Sequence, residues 1–457
     1  MHMSFPRPRR AALIAAALML YGGSLVAQLG SPFTAARQHP AIDYTNGPVS
    51  DPVSRLERRI AAGETTLRWE EGPHGYLRSI LDALHIDPES QLLVFSKTSF
   101  QAPRISPQNP RALYFNDTVT VGWVRGGDYL EFASQDPRQG TMFYTLRQTP
   151  TGPPTFERNS ACLACHVADS TMDVPGMFAG SLYPDARGEP LYAPVYYTDQ
   201  RSRLLMRWGG WYVTGRHGGV HMGNGTVTDQ TKLEMISDPA NQNLTSLADR
   251  FDTTGYLSPG SDIVALMVQE HQMHMMNLLT RAAWEYRIDT YDLPIGGRGT
   301  TQSRPRVEEN IIEATRPSAS LIAGLKGRPM AEVAVEIVDY MLFVDEPAFE
   351  APVVGTSRFA EHFAAMGPND PQGRSLRQLD LQTRLLRYPL SYEIYGEQFD
   401  ALPAAVRDAI YQRLWVVLSG GDPDPIYRKL SQADRKAIVE ILRATRSGLP
   451  DYFTPLP

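Results

Sequence analysis

The chain has little cysteine: two residues in 457. That excludes a framework of structural disulfides, so stability must come from packing and from whatever the two thiols hold. Basic charge is not in excess either. The net charge of −6 lacks the electrostatic footprint of a nucleic-acid binder. Beyond the first thirty residues no apolar run is long enough to span a membrane. There is no internal repeat and no second copy of any cysteine motif. Turn residues are plentiful, with 36 Gly and 36 Pro, and they imply many irregular connections.

The two cysteines stand together. Cys162, Leu163, Ala164, Cys165 and His166 spell C-x-x-C-H, the pattern of a c-type haem attachment site. Two thiols three residues apart lie on one face of a helical turn. There they can form thioether bonds to the two vinyl groups of one porphyrin. The adjacent imidazole then supplies the proximal iron ligand. Three other uses of C-x-x-C compete. A thioredoxin-like site needs a preceding buried strand and a βαβ setting, whereas Gly152 to Ala161 reads as a loop. A structural zinc needs further ligands, and no second cysteine pair exists. A disulfide between Cys162 and Cys165 would close a very small ring and leave His166 unexplained. The expectation is one covalently attached haem c, with Cys162, Cys165 and His166 as its holders.

Export is the second signal. Arg7, Arg9 and Arg10 precede a short apolar run that starts at Ala11 and continues weakly through Leu25, Val26, Ala27 and Leu29. Residues 1–30 therefore read as a signal peptide. The stretch is about twenty residues, so a retained N-terminal membrane anchor is the alternative. The folded part is expected in the periplasm or another extracytoplasmic space, with a possible tether to the inner membrane.

The remainder divides by pattern. Residues 31–50 are a polar tether. Residues 51–150 form a mixed α/β region, with helices over Asp51–Ala62 and Gly75–Leu84. Its strands are expected at Leu92–Phe95, Ala112–Phe115, Thr118–Val124, Tyr129–Phe132 and Met142–Leu146, paired antiparallel. Residues 151–257 hold the haem motif and loops rich in Gly and Trp. Residues 258–457 are helical, with a helix capped by Ser261 and running from Asp262 to about Arg287. Others are expected near Arg306–Ala314, Ala331–Leu342, Ser357–Ala365, Ala404–Leu418 and Gln432–Thr445. The fold class is α+β: a small antiparallel sheet, a loop-rich central haem segment and a mainly helical C-terminal half.

The sixth position of the iron decides between a closed carrier and an open, reactive centre. His217, His221 and Met222 are the distal-side candidates, because they lie in the densest glycine and aromatic cluster, Arg207 to Asn224. Met172 and Met177 sit close to the motif. Glu270, His271 and His274 share neighbouring surface on one helix. They could form a second metal site or a proton relay, or hydrogen-bond inside a bundle. Arg158, Arg203, Arg207 and Arg216 are available to haem propionates.

Several segments together resemble a known family. They are Phe95–Gln101, Pro110–Asp117, Cys162–His166 with Val174–Gly176, Trp208–Tyr212 with His217–Asn224, Glu270–Gln272, Gly355–Ser357, Arg387–Pro389 with Ser391 and Tyr392, Phe399–Pro403 and Leu430–Asp451. The chain from about Trp69 onward is similar to large exported bacterial proteins with a single cytochrome c domain. That resemblance implies haem binding, electron transfer and an extracytoplasmic place, and no particular substrate. Three functions are then expected to compete. One is a periplasmic c-type cytochrome passing electrons between a redox partner protein or small-molecule donor and an acceptor. Another is a haem-dependent oxidoreductase acting on a small molecule. The last is a non-enzymatic redox or gas sensor.

Overall fold

The computed structural model describes residues 36–191, 195–228, 238–291 and 328–457. The expected signal peptide and the helix expected near Arg306–Ala314 lie outside them. The chain forms two compact units, residues 1–47 with 287–326, and residues 48–286 with 327–457. In the smaller unit the His39 ring meets Tyr291 edge-on at 5.3 Å, and Arg287 donates to the Ala41 carbonyl.

The larger unit is α+β. Helix α1 (Pro52–Ala61) starts at Asp51, whose carboxylate accepts from the Val53 and Ser54 amides. Helix α2 (Leu77–Ala83) follows. Then come strands β1 (Leu92–Val94), β2 (Arg111–Phe115), β3 (Val119–Trp123), β4 (Tyr129–Asp136), β5 (Gly140–Arg147) and β6 (Phe156–Arg158). Helix α3 (Leu163–His166) carries the end of the C-x-x-C-H motif. Strands β7 (Ala179–Ser181) and β8 (Tyr196–Thr198) make a two-stranded ribbon, and β9 is Trp211–Tyr212. The seven-stranded sheet has the order β6-β5-β4-β3-β2-β1-β9, and every pairing is antiparallel. The five expected strands are present, several longer or shorter by a few residues. The two edge strands come from residues 151–257, so that stretch is woven into the sheet.

Alternation assigns the faces. Tyr114, Val121, Phe132 and Tyr144 lie in one cross-strand row. On this face the Tyr144 hydroxyl donates to Asp51 and the Val53 amide to Ser134 Oγ, which seats α1. The opposite row is Phe115, Thr120, Ala133 and Phe143. Here Gln269 donates to Thr120 Oγ1 at 3.1 Å and Gln135 to Thr280 Oγ1 at 3.3 Å. Both Gln269 and Thr280 belong to the long helix α4 (Ile263–Tyr291). The sheet is therefore covered on both faces.

Helix α4 is buried on all sides from Ile263 to Gln272, polar residues included, as a helix enclosed by protein should be. Its cap is Asp262 rather than the expected Ser261. Asp262 accepts from the Val264 and Ala265 amides with one oxygen and from Thr356 and Ser357 with the other. Ser261 Oγ instead accepts from the Leu93 amide. Helices α5 (Met330–Met341), α6 (Phe359–Ala365), α7 (Glu397–Asp400), α8 (Ala404–Leu418) and α9 (Gln432–Thr445) complete the unit. Ile337, Phe359, Leu414 and Leu442 join α4 in one continuous core. Among the described residues no helix is long and apolar enough to cross a membrane.

Candidate functional site

The motif is held by short-range capping and one strand contact. Asn159 accepts from the Ala161 amide, and its own amide donates to the Phe143 carbonyl on β5 at 2.9 Å. After one turn of helix the chain reverses through Met172 and Asp173, both with left-handed backbone (φ 55° and 62°). It returns along Val174-Pro175-Gly176. The Gly176 amide donates to the His166 carbonyl at 3.1 Å. His166 Nδ1 donates to the Gly176 carbonyl at 2.9 Å. One residue, Gly176, thus grips both the backbone and the ring of His166.

The grip fixes the tautomer. A carbonyl can only accept, so the proton sits on Nδ1 and the lone pair on Nε2. Nε2 has no protein partner among the described residues. Phe143 and Phe178 flank the ring at centroid distances of 4.8 and 5.3 Å. Burial lowers the imidazole to about 4, so it is neutral at pH 7, the form that binds a metal. An oriented imidazole with its second nitrogen hydrogen-bonded and its first bare is the arrangement metal-ligating histidines use. Cys162 is half-buried, Cys165 is exposed, and both are free thiols. Burial first, and the Glu131 carboxylate second, raise Cys162 to about 11. The residues present fit a c-type haem.

The loop is buttressed from α4. Asn277 Nδ2 donates to the Met177 carbonyl at 2.7 Å, and the Thr141 amide donates to the Pro175 carbonyl. A Cβ on Gly176 would collide with the Asn277 side-chain amide, so a larger residue there must push Asn277 aside.

The distal-side candidates are elsewhere. His217 and His221 pack ring to ring at 4.7 Å, and His221 meets Trp208 edge-on at 5.5 Å. Met222 Sδ lies 3.6 Å from Ser181 Oγ. Ser181 and Gly180 point to opposite faces of the β7–β8 ribbon. Phe178 and Tyr197 follow Gly180, so Met222 is on the other face from the ring beside His166. No hydrogen bond or ring contact among the described residues joins His217, His221 or Met222 to His166.

Glu270, His271 and His274 do not converge on one point. Glu270 pairs with Arg207 at 2.9 Å and accepts from Thr198 at 2.6 Å. His271 uses both nitrogens, Nδ1 toward Gln200 Oε1 and Nε2 as acceptor from Ser391 at 2.7 Å. His274 accepts from Arg201 at 3.1 Å, with Nδ1 3.6 Å from Asp199. Among the described residues no group of three or more His, Cys, Asp or Glu side chains could hold a metal ion. The second-metal reading fails because the lone pairs it needs are already committed. The trio is a buried polar network. Burial lowers His271 to about 3 and His274 to about 4, and raises Glu270 to about 7 against the opposing pull of Arg207.

A cleft of about 200 Å³ opens beside this network, walled on one side by Met177 and Phe178 and on the other by Asp199, Glu270 and His274. Of the four arginines, Arg207 is committed to Glu270 and to the Gln200 and Ser202 carbonyls. Arg158, Arg203 and Arg216 are exposed. Sequence reasoning missed Phe143, Phe178 and Asn277. Only the Val174-Pro175-Gly176 turn carried a local signal. The aromatic and the amide reach the motif through the sheet and α4, which no spacing rule reveals. No protein-family model, curated protein or solved structure matches this chain.

Proposed function

We propose that the chain is an exported c-type cytochrome that carries one covalent haem and transfers electrons. The observation that carries this reading is the His166 ring, its Nδ1 proton given to Gly176 and its Nε2 bare, one residue after a pair of free thiols. Cys162 and Cys165 would each add their S–H across a vinyl group, sulfur to one carbon and hydrogen to the other. His166 would hold the iron through Nε2. Haem bound there supplies a one-electron couple. The protein's part is to keep His166 neutral, to fix its ring between Phe143 and Phe178, and to limit water on that side. Export through residues 1–30 agrees with this reading, because a c-type haem and a signal-like N-terminus belong to the same compartment.

The second reading, a haem-dependent oxidoreductase acting on a small molecule, is favoured by the cleft beside Phe178. A carrier needs no such space. One preparation tests both. The chain is made with a working cytochrome maturation system, and haem is stained on a denaturing gel. Covalent haem in the native chain and its complete loss in Cys162→Ala/Cys165→Ala are expected. A native chain without haem refutes the proposal. A low-spin spectrum indifferent to carbon monoxide supports transfer, and a high-spin or carbon monoxide-binding spectrum supports the small-molecule reading.

A further inference from the structure

We infer that the Arg111–Glu131 ion pair tunes the haem: Arg111 takes a haem propionate, and Glu131 holds Arg111 in place. This rests on the cytochrome reading above. The sheet register puts the pair beside the motif. Ala133 on β4 opposes Phe143 on β5, and Glu131 opposes Thr145. Glu131 is thus on the face that carries Phe143, as its diagonal neighbour at about 7–8 Å. The Phe143 ring packs against His166 at 4.8 Å. On β3 the residue opposite Glu131 is Gly122, which is also opposite Leu113 on β2. Arg111, two residues before Leu113, reaches over this bare position to Glu131 Oε2 at 2.8 Å. A Cβ on Gly122 would stand 3.3 Å from the same oxygen.

Such a pair is costly away from water. The Arg111 and Glu131 side chains are only 18 % and 16 % exposed, and half-buried charges lose hydration. The carboxylate also accepts from Ser99 Oγ and Gln101 Nε2. The loop that supplies those donors has other anchors, Gln101 on the Tyr129 carbonyl and Arg104 on Asp128. Arg111 Nη1 is held by Glu131, and Nη2 has no hydrogen-bond partner among the described residues. A guanidinium with one arm fixed and the other free suits a second carboxylate. The arginines expected to serve the propionates are worse placed, Arg207 being committed to Glu270 and Arg158, Arg203 and Arg216 exposed. The two charges also reach the motif. Beyond burial, Glu131 raises the Cys162 thiol and Arg111 opposes it. Beyond burial and the Gly176 carbonyl, the same two act on the His166 ring. Reduction adds one electron to the haem, which a nearby cation favours and a nearby anion opposes.

Mediated redox titration of the haem-loaded protein at pH 7 tests this, with dithionite as reductant and ferricyanide as oxidant. Arg111→Gln should lower the midpoint potential, because the reduced haem loses a cation. Glu131→Gln keeps the size of the side chain, removes the anion and should raise the potential. Arg111→Lys keeps the charge and should fall between the native chain and Arg111→Gln. Arg104→Gln, whose Asp128 partner is exposed, should leave the potential where it was. Either substitution in the pair breaks the same contact, so a purely structural role cannot move the potential in opposite directions. The propionate bending band in the resonance Raman spectrum should also move in Arg111→Gln. Unchanged potentials or shifts of one sign in Arg111→Gln and Glu131→Gln overturn the inference, as does an unmoved propionate band. So does a shift in Arg104→Gln as large as that in Arg111→Gln. Where Arg111→Gln fails to fold, the absence of a rise in Glu131→Gln overturns it. Haem staining of the same samples on a denaturing gel keeps the two readings apart. A stained chain whose potential ignores both substitutions keeps the cytochrome and removes the ion pair from it, whereas an unstained native chain removes both.

Discussion

Two buried histidines in this molecule face opposite fates. His166 and His271 both have pKa values lowered by burial, and both are surrounded by aromatic rings. His166 has one nitrogen tied to a backbone carbonyl and the other bare. His271 has both nitrogens tied, to Gln200 and Ser391, and stacks on Tyr340 and Phe343. Burial and a lowered pKa are therefore no sign of ligation by themselves. A bare lone pair is needed as well, and His217 also has one, with Nδ1 on the Gly218 carbonyl and Nε2 bare. What sets His166 apart is that its bare nitrogen stands one residue after two free thiols. The histidine inside the helical core has no lone pair to offer.

Exchanging each histidine for alanine gives the largest expected effects and separates the two regions. His166→Ala should abolish the native haem spectrum and cost less fold stability than His271→Ala, because His271 is fully enclosed and His166 is not. His271→Ala should leave the spectrum intact and lower unfolding free energy by about 3 kcal/mol, since it opens a cavity and strands Gln200 and Ser391. Urea unfolding and an optical spectrum on both variants decide. A spectral change in His271→Ala as large as that in His166→Ala would break the comparison.

Both regions respond to pH with opposite signs, because burial lifts the Glu270 carboxyl to about 7 and lowers the His166 imidazole to about 4. Glu270 has a folded value of about 7, above the unfolded value near 4.3. Between those values the native chain holds a proton the unfolded chain has released. His166, His271 and His274, lowered by burial, make stability rise with pH up to about 6.5, whereas the Glu270 contribution is highest at the acid end and falls through the window, by at most about 4 kcal/mol. Glu270→Gln keeps the neutral form and should remove that fall. A stability difference between the native chain and the variant that stays constant from pH 5 to 7 would move the titration to another group, such as Glu346, which burial also lifts to about 7.

The next effect is local to the haem segment. Gly176→Ala places a Cβ against Asn277 and should cost about 1–3 kcal/mol by overpacking. It should also shift the midpoint potential, because the peptide that orients His166 must move. Destabilisation with an unchanged potential would mean that the Gly176 grip is structural only.

How much of this was legible in the residues follows the range of the signal. The C-x-x-C-H run, the five central strands and the helices at Ala404–Leu418 and Gln432–Thr445 rest on local pattern, and the structure has each of those elements. Strands β6 and β9 were not legible. Each is three residues or fewer, and pairing with a neighbour makes it a strand, not its own composition. Ser261 looked like a cap because it precedes the apolar run. Asp262 took the role because its second oxygen also gathers Thr356 and Ser357, nearly a hundred residues away. The cleft could not be foreseen at all, since its walls come from the haem loop, β8 and α4.

The smallest effect belongs to the glycine and aromatic cluster. His221 Nδ1 and His217 Nε2 are both buried without partners. An unsatisfied buried polar atom costs about 1–3 kcal/mol, and burial holds His221 at about 3, so it stays neutral across the physiological range. Phenylalanine keeps the ring against Trp208 and removes the stranded nitrogen. His221→Phe should therefore be neutral, or stabilising by up to about 1 kcal/mol, with the haem spectrum unchanged. The same spectrum and potential are expected for Met222→Leu, whose sulfur faces Ser181. A lost or shifted band in either variant would bring this cluster to the iron after all. In His221→Phe it would also show that a histidine whose Nδ1 lacks a hydrogen-bond partner can reach the iron, unlike His166, whose Nδ1 is held by Gly176.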